Sequence, residues 1–461
     1  MPPSKAKRTP ARNPTSALSF FIFPREIREQ IYNYVLCESP CKNVQLLRTC
    51  KQIASESQRF LFRRPLTFWS QSQLSQWIQE VDPRHLQQVS CVQIKIDNPV
   101  SHESIERLCL TETDDASLSP LAQLFKEEDK RIGKIFDQIP DIRDMTLLRS
   151  KRDSPYCIWQ NMYYSFSLEL GQRYPNLRRL AFHVHKVSLN SLAGLKSLRS
   201  FRFTGFSTST PQETLKVLSS LGHLEELEIV GIPHRINAEP SGQALVRSFT
   251  PEVLRGLRPL KSFKICETYT LYTEPESVFA STDMLTALYD THVDSLISLG
   301  LSTCIALSPA AAGQLKNHLT QSSLQSVRLC SSPLDPTIID ALPSSVRDLQ
   351  VCVDPSVTKS AAVAVLKTLK RKAQSESLNH VDWAVREPFK IPGVPPCPLE
   401  EARIKLLTKA APMGFRVTSR TWHPFIFDDE EIEEKIDLAN EVPAPLFYSY
   451  SFDVVTYENG S

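Results

Sequence analysis

Glycine is scarce in this chain, with 13 in 461 residues. No G-x-G-x-x-G turn and no G-x-x-x-x-G-K-[ST] loop occurs, so the glycine cradles that hold nucleotide phosphates are missing. No run of 18 apolar residues is present, which excludes a membrane-spanning helix and gives no reason to expect a membrane partner. Charge of one sign is also lacking. The 53 basic and 51 acidic residues leave a net charge of +2, and a nucleic-acid partner is not expected of so balanced a chain. The signatures of zinc proteases, serine-hydrolase elbows, kinases and EF-hands are absent as well. His183 and His185 share a strand face but lack the third ligand of a metal site. No catalytic residue, metal or cofactor is therefore assigned, and binding is expected rather than catalysis.

The eleven cysteines are odd in number and scattered, unlike a secreted disulfide framework. Cys37 and Cys41 are close, but no second pair completes a zinc set. A reducing compartment follows, cytosol or nucleus. Lys5, Lys7, Arg8 and Arg12 lie in a Pro/Ser-rich stretch without an apolar signal core, read as a disordered tail with a weak nuclear-signal character.

What the chain does have is one apolar figure used over and over: a large residue, another three on, another two beyond. The copies are Leu177/Leu180/Phe182, Leu198/Phe201/Phe203, Leu224/Leu227/Ile229, Leu260/Phe263/Ile265, Leu296/Leu299/Leu301, Leu324/Val327/Leu329, Val346/Leu349/Val351 and Leu378/Val381/Trp383. Ile142/Met145/Leu147 is an earlier member. The central residues follow one another at intervals of 21 to 36. The last two of each trio are two apart, which is the strand period and puts both on one face. Segments such as Pro211–Leu221, Ser308–Leu319 and Thr358–Ala373 have helical spacing and helix-start residues. Pro275–Tyr289 and Ala244–Leu257 are less regular returns.

This L-x-x-L-x-L figure resembles leucine-rich repeats. The resemblance implies an α/β solenoid of parallel strands with helical returns, whose units are stable only as a stack. The competing reading is a doubly wound sheet, disfavoured by alternating strands and the missing glycine turn. The family places Asn or Cys three residues past the third apolar position. Here those places hold His185, Phe206, Ile232, Thr268, Cys304, Ser332, Asp354 and Arg386, so the array is divergent and its curvature is not set. Residues flanking the buried pair are expected on the concave face, where a protein substrate would bind: Arg179, His183, Arg202, Thr204, Glu226, Glu228, Lys264, Arg328, Asp348, Gln350, His380 and Asp382. Arg179, Arg202, Lys264 and Arg328 form a broken basic stripe there, crossed by Glu226 and Glu228. The bland reading of any one of them is a solvated strand position.

Ahead of the repeats, Pro24 opens a helical pattern in which Ile27, Ile31 and Val35 recur at four-residue intervals. Leu46, Leu47, Cys50, Ile53, Ser57, Phe60 and Leu61 form a second helical stripe, stopped by Arg63-Arg64-Pro65, and Leu66–Trp69 reads as a short strand. Pro24, Glu26, Ile27, Arg28, Ile31, Tyr32, Val35 and Leu36, then Leu47, Arg48, Thr49, Cys50, Ile53 and Glu56, resemble the F-box and F-box-like modules of filamentous fungi. Phe23 departs from the usual Leu before Pro. The resemblance covers Leu18 to Trp69 and implies docking of a Skp-family adaptor, with cullin ligase subunits beyond it. Pro24, Ile27, Ile31, Val35, Leu36, Leu47 and Ile53 would carry the contact. About 45 residues in two helices cannot bury a self-sufficient core, so their apolar faces need other surfaces. The alternative is that the module only caps the array, which would leave a plain repeat scaffold.

The expected organisation is a tail at 1–17, the F-box-like helices at 18–69, the array at 70–387 and a proline-rich linker with a cap or tail at 388–461. Leu86–Asp97 is a joining strand, Leu121–Ile139 and Ile158–Leu170 are helices around the first repeats, and Pro398–Ala411 is a closing helix. The acidic run Asp428–Glu434 reads as solvated, and the aromatic stretch Phe447–Phe452 as a terminal strand or cap.

Overall fold

If the last two residues of each trio share a strand face, neighbouring repeats should align trio on trio. The computed structural model shows that alignment. It describes residues 20–38, 44–95, 120–148, 158–182, 187–231, 246–267, 277–303, 306–331, 334–353, 359–375, 378, 380–386 and 416–420. The chain divides into two compact units, Met1–Pro65 and Leu66–Ser461.

In the larger unit the described strands are β1 (Leu66–Phe68), β2 (Cys91–Lys95), β3 (Asp144–Leu148), β4 (Arg179–Phe182), β5 (Ser200–Phe203), β6 (Phe206–Ser207), β7 (Glu226–Gly231), β8 (Val246–Arg247), β9 (Ser262–Glu267), β10 (Ser298–Thr303), β11 (Ser326–Ser331), β12 (Asp348–Val353), β13 (His380–Arg386) and β14 (Arg416–Arg420). All but β6 and β8 form one twelve-stranded parallel sheet, laid down in chain order. β6 and β8 pair antiparallel as a separate two-stranded ribbon. Among the described strands the order never reverses, and no switch point of the doubly wound kind occurs. Such an α/β sheet is consistent with a solenoid-like repeat.

Register follows the apolar figure. Met145 pairs with Leu180, Leu180 with Phe201, and Phe201 with Leu227. Leu227 pairs with Phe263, Phe263 with Leu299, Leu299 with Val327, Val327 with Leu349, and Leu349 with Val381. Every one of these central residues is buried. The trio Val89/Val92/Ile94 obeys the same figure, is fully buried, and stands in register with β3. The sheet thus reaches past both expected limits of the array, with β1 at one edge and β14 at the other. Aromatic residues run through the middle: the Phe201 and Phe203 rings stack at 5.0 Å, and Phe249 meets Phe203 at 6.0 Å and Phe263 at 6.2 Å. Burial of each such side chain is worth ~1.5–3 kcal/mol.

Backbone carbonyls two residues before the central position join the repeats. Arg143 O accepts from Arg178 N at 2.7 Å and Arg179 N at 3.0 Å; Arg178 O, Arg199 O, Glu225 O, Lys261 O, Ile297 O and Gln325 O do the same for the next repeat in turn. Both lone pairs of each carbonyl are used. This satisfies the backbone entering each strand.

The returns between strands are helical: Pro120–Phe136, Ile158–Arg173, Pro211–Ser220, Pro251–Gly256, Thr282–His292, Pro309–Gln321, Pro336–Asp340 and Lys359–Ser375. Four begin with proline behind Thr210, Thr250, Ser308 or Asp335. Proline loses nothing at a first helical position, where no intrahelical acceptor exists. Thr210 and Glu213 complete a reciprocal cap, and Ser308 Oγ accepts from Ala311 N at 3.2 Å. Buried His292 ties two returns to a strand entry: its Nδ1 accepts from Leu260 N at 3.2 Å and its Nε2 meets Leu254 O at 3.1 Å. Gly205, with φ +75°, lets the chain turn from β5 into the ribbon. A Cβ there would stand 2.3 Å from the Phe279 ring.

In the smaller unit, helix Arg25–Asn33 runs into a π-helical turn at Tyr34–Glu38. The expected second helix from Leu46 divides in two. Leu46 and Leu47 lie in a 3₁₀ turn, Val44–Arg48, and the helix itself spans Lys51–Arg63. Cys50 sits between as its cap, accepting from Ile53 N at 3.4 Å through sulfur. Tyr32, Leu36, Ile53 and Phe60 form the core, with Phe20, Leu46 and Leu61 packed against it. Leu66–Phe68, expected beside these helices, belongs instead to the sheet.

Candidate protein-binding surfaces

The first helix of the smaller unit does not bury the stripe its apolar residues suggest. Arg28, Tyr32 and Leu36, also four apart, face inward, one residue on from Ile27, Ile31 and Val35. Glu56 makes that inward face possible. Its carboxylate accepts from Arg28 Nε at 3.0 Å and Nη2 at 2.7 Å, from Tyr32 Oη at 2.9 Å, and from Gln52 Nε2 at 2.9 Å. Arg28 Nη1 also donates to Phe23 O at 2.7 Å, fixing the chain ahead of the helix. The fork of Arg28, then Gln52, holds the Glu56 carboxyl down at about 2. Glu29 pairs with Arg25 at 2.8 Å and with Arg59.

Turning polar groups inward leaves apolar ones outside. Phe21, Ile22, Phe23, Ile27 and Tyr34 are 38, 67, 48, 40 and 61% exposed. Among the described residues, these are five of the eight large apolar side chains left so exposed. Of the positions expected to meet an adaptor, Pro24 and Ile27 are exposed, and Ile31, Val35 and Leu47 are half-buried. Leu36 and Ile53 are corrections to that set: they lie in the core between the two helices and are not surface positions. Sequence reasoning missed Phe21, Ile22 and Tyr34. The cluster of aromatics before Pro24 was the available signal.

In the larger unit, the residues beside each central position share the sheet face opposite the trios. One register row runs Arg202, Glu228, Lys264, Gly300, Arg328, Gln350, Asp382. The adjacent row runs Arg179, Ser200, Glu226, Ser262, Ser298, Ser326, Asp348, His380. The expected basic stripe is therefore split, with Arg179 outside the row of the other three. Arg179 meets Asp144 at 3.7 Å, and Arg202 meets Glu228 at 3.4 Å. Glu226, Lys264 and Asp348 are exposed, and Arg328 is half-buried. Asp382 corrects the picture of a solvated face: it is buried and accepts from Gln350 Nε2 at 2.6 Å. Thr204 is buried too, donating to Phe206 O at 3.0 Å where the ribbon begins. His183 and six of the eight Asn/Cys-type positions, all but Phe206 and Arg386, lie outside the described residues, as do Cys41, Pro398–Ala411 and the acidic and aromatic C-terminal runs.

A third row was not anticipated. Cys266, Ser302, Cys330 and Cys352 are successive register partners two residues beyond Lys264, Gly300, Arg328 and Gln350. Burial pushes the Cys266 thiol up. Burial also works against the Arg328 charge, but Cys330, Cys266 and Cys352 around it turn the net direction upward. Among the described residues no group of three or more His, Cys, Asp or Glu side chains is placed to hold a metal ion, and no helix is long and apolar enough to cross a membrane. At the edge where strands begin, Asn176, Arg178, Ser197, Arg199 and His223 line a shallow depression of about 130 Å³. It is polar and too small for a cofactor. The chain matches no protein-family model, and comparison with curated proteins finds no match either.

Proposed function

We propose that this chain is a protein-binding adaptor: an F-box-like module followed by leucine-rich repeats, serving as substrate receptor of an SCF-type ubiquitin ligase. The N-terminal helices dock a Skp-family adaptor, and the open strand face holds a protein substrate. The chain supplies proximity, raising the substrate's effective concentration at the ligase, while chemistry belongs to partner subunits.

The observation that carries this reading is the exposed apolar cluster Phe21, Ile22, Phe23, Ile27 and Tyr34. A unit whose described residues give an apolar core of four buried side chains and three half-buried ones can ill spare such groups to water. Their concentration on one short helix and its approach favours a helix-face interface. The sheet supports the receptor half in another way: its open face is lined by in-register polar and charged rows, as repeat proteins present to partners.

The test is retention of a purified Skp-family adaptor by the full chain. Wild type is expected to retain it, and the double variant Ile27→Asp, Ile31→Asp is expected to lose it while keeping its circular dichroism and melting profile. If wild type fails to retain the adaptor, the ligase reading falls and the repeat scaffold, with capping helices, takes its place.

A further inference from the structure

The open strand face carries an unbalanced charge at one place. Lys264 on β9 and Arg328 on β11 flank Gly300 on β10 as register partners. Neighbouring strands stand about 4.8 Å apart, so the two positions bracket roughly 10 Å of backbone in which Gly300 contributes no side chain. Glu228, next in the row, is engaged by Arg202. Among the described residues neither Lys264 nor Arg328 forms an ion pair. Arg328 hydrogen-bonds the Cys330 side chain on its own strand. Lys264 Cγ lies 3.0 Å from where a Gly300 Cβ would be, so its stem crosses β10 toward Arg328.

Two buried donors are unsatisfied at the same place. Arg328 Nε and Ser302 Oγ are both shielded and without a hydrogen-bond partner. Ser302 is 3% exposed and sits on the same strand face, two residues past Gly300. Buried polar groups are nearly always paired, so an orphan hydroxyl on Ser302 and an orphan Nε on Arg328 itself, with Lys264 leaning over the strand between, ask for a ligand. A polyanion fits poorly, because Glu228, Gln350 and Asp382 interrupt the row.

We propose that Lys264, Gly300, Arg328 and Ser302 form a seat for one oxyanion, a phosphorylated side chain or a carboxylate, presented by an extended segment of the bound protein. Gly300 lets the Lys264 stem lie across β10, the ammonium and guanidinium hold the anion, and the Ser302 hydroxyl donates to it from two residues further along the strand. The proposal rests on the strand face being the partner-binding side, and names the chemistry it selects.

Nitrogen-15 NMR of the arginine Nε–H groups in the full chain tests it, with inorganic phosphate and then acetate titrated at constant ionic strength. Arg328 should show a saturable shift, weakened about ten-fold or more in Lys264→Gln, since a charge-assisted hydrogen bond is lost. Arg255→Gln, on the helical side, should leave it unchanged. Tighter saturation by phosphate supports the site with a phosphorylated residue as occupant, and tighter saturation by acetate supports it with a carboxylate. No saturable shift with either anion, or one that persists unchanged in Lys264→Gln, overturns the proposal. The adaptor plays no part in this measurement, so its failure and a failure of adaptor docking are separately visible.

Discussion

The two units solve the same problem, burying an apolar stripe, in opposite ways. In the sheet the stripe named by residue type is the stripe that is buried: every central residue from Met145 to Val381 is interior and pairs with the next. In the first helix the stripe named by residue type, Ile27, Ile31 and Val35, is not the buried one. The inward positions are Arg28, Tyr32 and Leu36, with Glu56 supplying a counter-charge. A strand offers only two faces, so a shift of one residue would turn a whole set to the wrong side. A helix turns by 100° per residue, and a salt-bridged arginine can lie inside as readily as an isoleucine can lie outside. Apolar periodicity is therefore decisive in the repeats and ambiguous in the helices.

The largest expected effect probes the repeat half. Phe263→Ala removes a fully buried ring at the centre of the sheet, against Phe249, and should cost ~3–5 kcal/mol in denaturant unfolding. Because neighbours stabilise each other, hydrogen-exchange protection should fall in β3 and β12 along with β9. Loss confined to β9 and its two neighbours would show that the repeats do not act as one cooperative stack.

Acid should separate the halves next. His318 is fully buried in the return Pro309–Gln321, and burial holds it down at about 4. Its folded pKa is below its unfolded value of 6.5, so its neutral form favours the fold fully above pH 6.5. That contribution is lost as pH falls toward 4, by about 3 kcal/mol at most. His292, also lowered by burial, acts in the same direction. Glu56 is depressed from 4.5 to about 2. Its contribution is complete above pH 4.5 and is lost only as pH falls from there toward 2. The repeat unit should thus weaken between pH 6.5 and 4, before the helices do. His318→Phe should remove much of the first phase, and Glu56→Gln the second, measured by fluorescence of the sheet and helical circular dichroism. A single coincident transition unchanged by either substitution would remove this distinction.

Most of the sheet was legible because its signal repeats: nine trios gave nine in-register strands, including Ile142/Met145/Leu147. What was missed has physical reasons. Val89/Val92/Ile94 carries the full figure, but its centre, Val92, lies 53 residues before Met145, well beyond the 21 to 36 that separate the other centres; at that spacing strand neighbours are hard to assign from pattern alone. β1 keeps only Leu66 and Phe68 of the trio, and the ribbon pairs just two residues from each side across about forty positions. The open-face seat was half legible. Lys264 and Arg328 were expected to face outward, but Gly300 between them becomes meaningful only once the register is known.

The smallest expected effect on stability is the most telling for the helices. Ile27 is 40% exposed and outside the core, so Ile27→Asp should change the unfolding free energy by no more than ~0.5 kcal/mol. Tyr32→Phe makes the contrast, because it strips a hydroxyl from Glu56 while keeping the ring against Phe60. If the inward stripe holds the unit together and the outward stripe is kept for a partner, the two substitutions should divide cleanly. Tyr32→Phe should lower the melting temperature and spare adaptor retention below that temperature. Ile27→Asp should spare the melt and abolish retention. A melt lowered more by Ile27→Asp than by Tyr32→Phe would mean that the outward stripe is structural, and the case for a docking face on this helix would fail with it.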